Sequence, residues 1–352
     1  MRNFENIGRI KIFIKDPNKK SFLKIIKEVF ILVITKKEIP FYYFKYLYRK
    51  DVKNYLDYFS IGEANAIGSS QLLHKPEYKS LLENKLFFAL LSEKSPLNTP
   101  KLISYNLGNT FYYNNTVKQI YNKSDLVRFF EQVFTVNNLE GLFFRPPSEY
   151  GGKGVFKLTR TGLKNELDVR FDSLINGYYV HTKIIEQHKE INKIHNKSVS
   201  TLRIISLITS ENHPEIISAF MRFGVGNSVV DNSSSGGFFV GVNMNEGTLK
   251  KEGHYLLDYG GNVVHKHPDS NFKFEEFKVP YFKEACEEVL KGIKVIPDRF
   301  IGWDVAITTN GPIIVEANSG PHLLSVEMGY GGLLRNQHIK KLLEELKQQS
   351  NL

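Results

Sequence analysis

The chain has 352 residues, 41% hydrophobic and 24% charged, a globular composition that excludes wholesale disorder. Its single cysteine, Cys286, excludes an intramolecular disulfide and a cysteine-based metal site. Of the net charge of +10, residues 1–60 carry +8 (14 Lys/Arg against 6 Asp/Glu), which leaves +2 for the other 292 residues (33 against 31).

The first nine residues carry no apolar run followed by a small-residue cleavage site. The most apolar early run, residues 29–35, is far short of the roughly 20 residues that span a bilayer. The expectation is a soluble, cytoplasmic chain. The basic segment reads as a solvated helix face or as a dock for an anionic membrane surface or an acidic partner. No nucleic-acid motif accompanies it, and no nucleic-acid partner is expected.

Residues 21–60 read as helical: Phe22, Leu23, Ile25, Ile26, Val29, Phe30 and Val33 recur near helical spacing, and Pro40 interrupts before residues 41–58 resume. The Tyr/Phe stripe there is expected to be core. Residues 61–70, with two glycines and paired serines, read as a connection. A helix is expected from Pro76 through Leu91, then a short strand at 101–104 and a helix at 124–134 capped by Ser124. Residues 141–145 and 154–159 form a hairpin about a Gly-rich, mobile tip. Further strands are expected at 178–187, 201–209 and 215–225, with a Ser/Asn/Gly loop at 231–237. A helix follows at 280–291. Strands at 299–308 and 312–317 join at Asn310-Gly311, and a last helix covers 337–348. The sum is a mixed α+β chain rich in antiparallel hairpins.

Two segments carry chemistry. Asp304 lies on one strand of the last hairpin, and Glu316 and Asn318 lie two apart on the next, so both point to one sheet face. With Asp304 folded toward them, three oxygen-bearing side chains converge, a set suited to Mg²⁺. The competing reading, a polar face of an exposed hairpin, loses ground because both carboxylates sit inside apolar strands and Ser319-Gly320-Pro321 follows. Upstream, Arg145 ends an apolar strand and Gly151-Gly152-Lys153-Gly154 follows. Glycine lets backbone N–H groups approach phosphate, and the cations complement its charge. Such a loop is also a common structural turn, and its spacing is not that of a Walker A loop.

The order of these parts resembles the ATP-grasp superfamily, in its sugar-transfer-associated branch. Glu83-Asn84-Lys85-Leu86-Phe87-Phe88 looks like the first cation and its helix. Arg145 and the glycine loop look like the second cation and the phosphate loop. Ile184-Ile185-Glu186-Gln187-His188 looks like the adenine-binding hinge, with Glu190 as the ribose contact. Ser198-Val199-Ser200-Thr201-Leu202-Arg203-Ile204 and Gly302-Trp303-Asp304 with Glu316-Ala317-Asn318 resemble the branch's last two motifs. The match covers roughly residues 75–335. Arg145 stands where the family usually has lysine, and Ser200 where it has asparagine. Arginine keeps the charge and binds phosphate bidentately.

The resemblance implies an ATP-grasp fold with an N-terminal helical extension, divided at residues 1–74, 75–186 and 187–352. It implies ATP and Mg²⁺ as cofactors. ATP would be held by Lys85, Arg145, Gly151, Gly152, Lys153, Gly154, Glu186, Gln187, His188 and Glu190, and the metal by Asp304, Glu316 and Asn318. Arg203 and Lys153 would stabilise transferred charge; Arg203 also reads as a core-edge arginine paired with a carboxylate. Arg222, Asn232 and His322 are acceptor-pocket candidates, although the 231–237 loop also reads as a plain flexible loop. The implied reaction is a carboxylate–amine ligation in surface polysaccharide biosynthesis, joining a uronic acid to an amino acid. The alternatives are a kinase acting on a sugar hydroxyl and a non-catalytic nucleotide-binding partner of a glycosyltransferase. Residues 1–60 would reach an anionic membrane or a lipid-linked glycan. His181, His188 and His195, spaced by seven, are read as unrelated, and His254, His265 and His267 as surface residues.

Overall fold

The computed structural model describes residues 13–350; residues 1–12, part of the basic segment and the stretch read for a signal sequence, and residues 351–352 lie outside the described residues. The elements in chain order are α1 (Phe22–Lys36), α2 (Ile61–Ser69), α3 (Pro76–Glu83), α4 (Lys85–Ser92), β1 (Leu102–Leu107), β2 (Thr110–Tyr113), β3 (Thr116–Gln119), α5 (Lys123–Asn137), β4 (Gly141–Arg145), β5 (Phe156–Thr159), α6 (Leu163–Asn176) and β6 (Tyr178–Lys183). The second half contains α7 (Lys189–Asn192), β7 (Thr201–Ile208), β8 (Pro214–Phe223), β9 (Phe238–Asn243), β10 (Thr248–Tyr255), β11 (Val263–Val264), α8 (Phe282–Val295), β12 (Phe300–Thr308), β13 (Gly311–Asn318), α9 (Leu323–Tyr330) and α10 (Gln337–Ser350).

Two antiparallel sheets organise the chain. The first has six strands in the order β3-β2-β1-β6-β4-β5, the second seven in the order β11-β10-β9-β8-β7-β12-β13. In the first sheet, Leu142, Phe144 and Leu158 pack on Phe129, Phe130 and Val133 of α5 and Leu167 and Leu174 of α6. Alternation then turns Phe143 and Arg145 to the opposite face. The second sheet is covered on both sides. Leu202, Ile204, Trp303 and Val305 meet Ala285, Val289 and Ile293 of α8, while Ile205, Leu207, Phe220 and Phe300 meet Ile67, Val326, Leu342 and Leu346. Double coverage explains why β7 and β12 are continuous buried runs. Trp303 is fully buried and its indole N–H donates to Ser206 Oγ at 2.8 Å, so it serves packing.

Local chemistry corrects several sequence expectations. Residues 61–69 are helical, because Ser60 and Glu63 form a capping box at the start of α2. The expected 76–91 helix is two helices, since Asn84 leaves helical geometry and caps α4 through Leu86 and Phe87 N–H. The cap of α5 is Asn122, accepting from Asp125 N–H, and not Ser124. After Pro40 the chain makes short turns at Tyr43–Leu47 and Tyr55–Asp57 instead of a resumed helix. Their Tyr42, Tyr43, Tyr46 and Tyr58 are buried against α1 and α9, so the aromatic stripe is core. Hairpin β2–β3, whose turn is Asn114-Asn115 with both φ positive, has no counterpart among the sequence expectations.

The N-terminal segment is fixed to α9 by a buried carboxyl, Glu327, which accepts Phe59 N–H at 2.7 Å. Burial pushes its pKa up to about 8. A raised folded pKa contributes stability fully present below the unfolded value near 4.5 and lost as pH rises through the folded value. Stability is therefore expected to fall between about pH 4.5 and about pH 8, by on the order of 5 kcal/mol from this group. Denaturant titrations across that range should show the slope flatten in Glu327→Gln.

Candidate active site

The two sheets enclose a cleft of about 730 Å³, within the range of small-molecule sites. The second sheet contributes a charged cluster at one end of β7, β8, β12 and β13. Register places Asp304 directly between Arg203 of β7 and Glu316 of β13. Beyond Glu316 the pairing slips, so that Val305 faces Ile314. The extra residue, Val315, is a β-bulge that lets Ile314 join the core while Glu316 and Asn318 face the cleft.

Arg203 grips Asp304 with both Nε and Nη2 (the latter at 2.9 Å), and Arg222 Nη2 reaches Asp304 Oδ2 at 2.8 Å. Arg222 also donates to Thr201 Oγ1 at 2.6 Å and lies 3.4 Å from Asp231. Thr201 in turn donates its N–H to Asp231 at 2.7 Å. Burial by itself would raise the Asp304 carboxyl, but the two guanidiniums outweigh it and hold it well below the usual carboxylate range. Glu316 shifts the opposite way: burial and the adjacent Asp304 push it up, and Lys85 offsets part of the effect. Asp231 is also raised, by burial, despite Arg222.

The first sheet and α4 supply the facing wall. Lys85 Nζ donates to Glu149 O at 2.8 Å and lies 3.6 Å from Glu316. Arg145 is buried, donates one Nη to Val315 O at 3.1 Å and leaves Nε without a partner. Burial lowers its pKa, and Glu316 offsets part of that. The glycine loop leans across the cleft: Tyr150 OH donates to Glu83 at 3.1 Å and Ser235 Oγ to Gly151 O at 2.8 Å. Glu83 also accepts from Ser319 Oγ at 2.6 Å. Gly152 has φ +76°, and a Cβ there would sit 2.3 Å from Val230 Cγ1. If the loop covers ATP, as the resemblance implies, Gly152→Ala is expected to displace it and raise the KM for ATP about tenfold or more, with little change in melting temperature; steady-state kinetics and thermal unfolding on the same preparation check both parts.

Of the residues singled out in the sequence, the cleft brings together Lys85, Arg145, Gly151, Gly152, Arg203, Arg222, Asn232, Asp304, Glu316, Asn318 and His322. Lys153, Gly154, Glu186, Gln187, His188 and Glu190 fall outside its lining, where Lys183, Ile184 and Ile185 form the wall instead. Local bonding explains this. Gln187 spends its amide on Asn192, His195 O and Ser200 N–H. His188 caps α7, and Glu190 pairs with Lys193 one helical turn away. Thr201, Asp231, Glu83 and Ser319 lie within the segments named in the sequence but have no role assigned there; their part in the cluster comes from contacts across the cleft.

The histidines diverge as expected for the seven-residue series. His181 lies in the first sheet's core between Ser104 and Asn106, its pKa lowered by burial to about 3. His267, however, is fully buried, stacked on His195 and bonded to Gly224 O, and so is no surface residue. His254 is half-buried on β10. A second cavity of about 410 Å³ adjoins the cleft at Leu256; Arg49, Lys250 and Arg335 line it together with Asp51 and Glu252.

The Asp304, Glu316 and Asn318 set fits a divalent cation. Two carboxyls share one place, where each disfavours the other's charge, Asn318 beside them offers an amide oxygen, and a carboxylate already bonded to arginine retains lone pairs. Two antiparallel sheets clasping a cleft, with a glycine loop on one and this acidic set on the other, define an ATP-grasp protein. A family model described as sugar-transfer associated ATP-grasp matches residues 70–341, and the chain belongs to that family. ATP is the nucleotide of that class, and Mg²⁺ is the cation that accompanies it.

No curated protein matches the sequence. Among solved structures, D-alanyl-alanine synthetase A from Vibrio cholerae is 10% identical with TM-score 0.48, covering 78% of this chain and 67% of its own. The ATP-grasp ligase PsnB, solved with a minimal precursor, Mg and ADP, is 12% identical with TM-score 0.41, covering 80% and 62%. Phosphoribosylamine–glycine ligase from Thermotoga maritima is 11% identical with TM-score 0.43, covering 73% and 53%. The chain thus spans less than two thirds of the length of PsnB. Among the described residues, no helix is long and apolar enough to cross a membrane.

Proposed function

We propose that the protein is an ATP-dependent carboxylate–amine ligase in surface polysaccharide biosynthesis, joining a uronic acid to an amino acid. The observation that carries this reading is the single cleft in which Lys85, Arg145 and the glycine loop face Asp304, Glu316, Asn318, Arg203 and Arg222. A substrate carboxylate oxygen attacks the γ-phosphorus of ATP; the bond to the β–γ bridging oxygen breaks, and ADP leaves with that electron pair. The amine then attacks the acyl carbon, phosphate departs, and the amine's proton passes to solvent or phosphate. Lys85 and Arg145 neutralise the phosphates, and Lys153, exposed outside the cleft lining, would join them only when the glycine loop closes. Arg203 and Arg222 face the charge that develops on the transferred group. Mg²⁺, held by Asp304, Glu316 and Asn318, would supply charge neutralisation to the phosphates. Lys183, Ile184 and Ile185 wall the place of the nucleotide's base, with Glu186, Gln187, His188 and Glu190 behind that wall, and Asn232 and His322 belong to the acceptor side. The division at residues 1–74, 75–186 and 187–352 belongs to the same reading.

The cationic cavity beyond Leu256 supports a long, anionic substrate of the glycan kind. The basic N-terminal segment supports a location at a membrane carrying a lipid-linked glycan. The test is ATP turnover with Mg²⁺ against a panel of uronic acids, sugar nucleotides and amino acids. Release of ADP and free phosphate only when a carboxylate and an amine are both present supports ligation. ADP with a phosphorylated sugar and no free phosphate would replace it by a kinase reaction.

A further inference from the structure

The cover of α1 is unlike that of the other helices. Its inner face, Ile25, Glu28 and Leu32, is buried on Tyr43, Tyr46 and Leu47. Its outer face carries Phe22, Leu23, Ile26, Phe30, Val33 and Ile34, of which Phe22, Leu23, Phe30 and Ile34 are 75%, 80%, 63% and 60% exposed. At helical geometry these six side chains fall within an arc of about 120°. Ile39 and Phe41, just past the helix, are exposed as well. A solvated helix face, the plainest reading of the sequence, would place its charges here and its apolar residues inside.

The charges around the stripe are of one sign. Residues 13–41 contain three acids, and each is turned inward. Asp16 accepts from Tyr48 OH at 2.9 Å and lies 3.5 Å from Arg49. Glu28 is buried with Lys20 at 2.6 Å and Tyr43 OH at 2.7 Å. Glu38 accepts the N–H groups of Ile61 and Gly62 at 2.8 and 3.0 Å. The exposed charged side chains of the same stretch are Lys15, Lys24, Lys27 and Lys37. An apolar stripe bordered by lysines, with every acid withdrawn, is the arrangement that lies in the interface of an anionic bilayer: the stripe enters the acyl boundary and the lysine stems reach back to headgroup phosphates. A second copy fits less well, because a two-fold contact over this face would oppose lysines to lysines.

We infer that α1 docks the enzyme on an anionic membrane through Phe22, Leu23, Ile26, Phe30, Val33 and Ile34, with Lys15, Lys24, Lys27 and Lys37 on headgroups. This rests on the reading that the N-terminal segment sits at a membrane, and it fixes which face does so. α1 and its turns pack on Leu324 and Met328 of α9, directly after His322 of the cleft, so docking holds the cleft close to a lipid-linked substrate.

The test uses the full chain and vesicles of phosphatidylcholine with or without phosphatidylglycerol, read by co-sedimentation. Anionic vesicles are expected to bind at least about tenfold more protein. Phe22→Ser/Leu23→Ser/Phe30→Ser/Ile34→Ser and Lys24→Glu/Lys27→Glu/Lys37→Glu should each lower binding about tenfold. Phe30→Trp adds a direct reporter, since the one native tryptophan, Trp303, is fully buried: its emission should shift to the blue on anionic vesicles. Absence of vesicle binding, an unshifted emission from the vesicle-bound Phe30→Trp variant, or self-association lost in the serine variant would overturn the proposal. Vesicle binding is read without turnover, so a protein that binds vesicles but forms no ADP would keep the docking and lose the ligase reading.

Discussion

Asp304→Asn and Glu316→Gln are expected to abolish ADP formation alike, each by about 10³-fold or more, yet to move stability in opposite directions. Asp304 is the shared counter-charge of Arg203 and Arg222, which meet it from two strands in a buried setting. Neutralising it leaves two guanidiniums facing each other with Asp231 and the burial-raised Glu316 as the acids nearby, and breaking a buried pair of this kind costs about 3–5 kcal/mol. Glu316 is different. Its carboxyl is raised by burial and by Asp304, which means its charge is disfavoured in the folded state. Glutamine preserves its shape and removes that repulsion, so Glu316→Gln should be as stable as the native protein or slightly more so at about pH 7. Denaturant unfolding of the two variants beside the native chain, with ADP measured on the same preparations, checks the contrast. Equal destabilisation by both would show that the pair is not divided in this way.

Arg203→Ala is expected to lower kcat about 10³-fold, the effect of losing an arginine that faces a transferred phosphoryl group, while the KM for ATP changes by less than about tenfold. The reasoning is positional. Arg203 is paired with Asp304 in the cluster that also holds Glu316 and lines the cleft, whereas Lys85 and Arg145 come from the opposite wall, where the proposed reaction has them neutralise the phosphates of bound ATP. Arg203→Lys should restore only part of the rate, because lysine keeps the charge but cannot make the two-nitrogen grip on Asp304. Variants of Lys85 should show the reverse split, with the larger effect on KM. Measuring kcat and KM separately for the three variants decides it; an Arg203→Ala enzyme with native kcat would reduce Arg203 to a structural partner of Asp304.

What the sequence determined by itself was set by period and local spacing. The alternation around Glu316 and Asn318, the Asn310-Gly311 turn, the apolar runs of β7 and β12 and the glycine loop after Arg145 are all written within a few residues, and they place Arg203, Asp304, Glu316 and Asn318 correctly on their strands. The capping box at Ser60 and Glu63 and the Asn114-Asn115 turn are equally local signals, legible in principle, that the sequence expectations lack. The tertiary structure decided what depends on residues far apart in the chain. That Arg222, Asp231 and Thr201 share one network with Asp304 depends on three strands and a loop meeting. That Gln187 is consumed by backbone partners and His267 is buried depends on loops folding over them. The apolar residues of α1 gave a helical period in the sequence, but a period does not say which side is covered. Only the aromatic turns packed on Ile25 and Leu32 show that the wider apolar face is the one left outside, because a helix has one inner face and this one had more hydrophobic side chains than that face could cover.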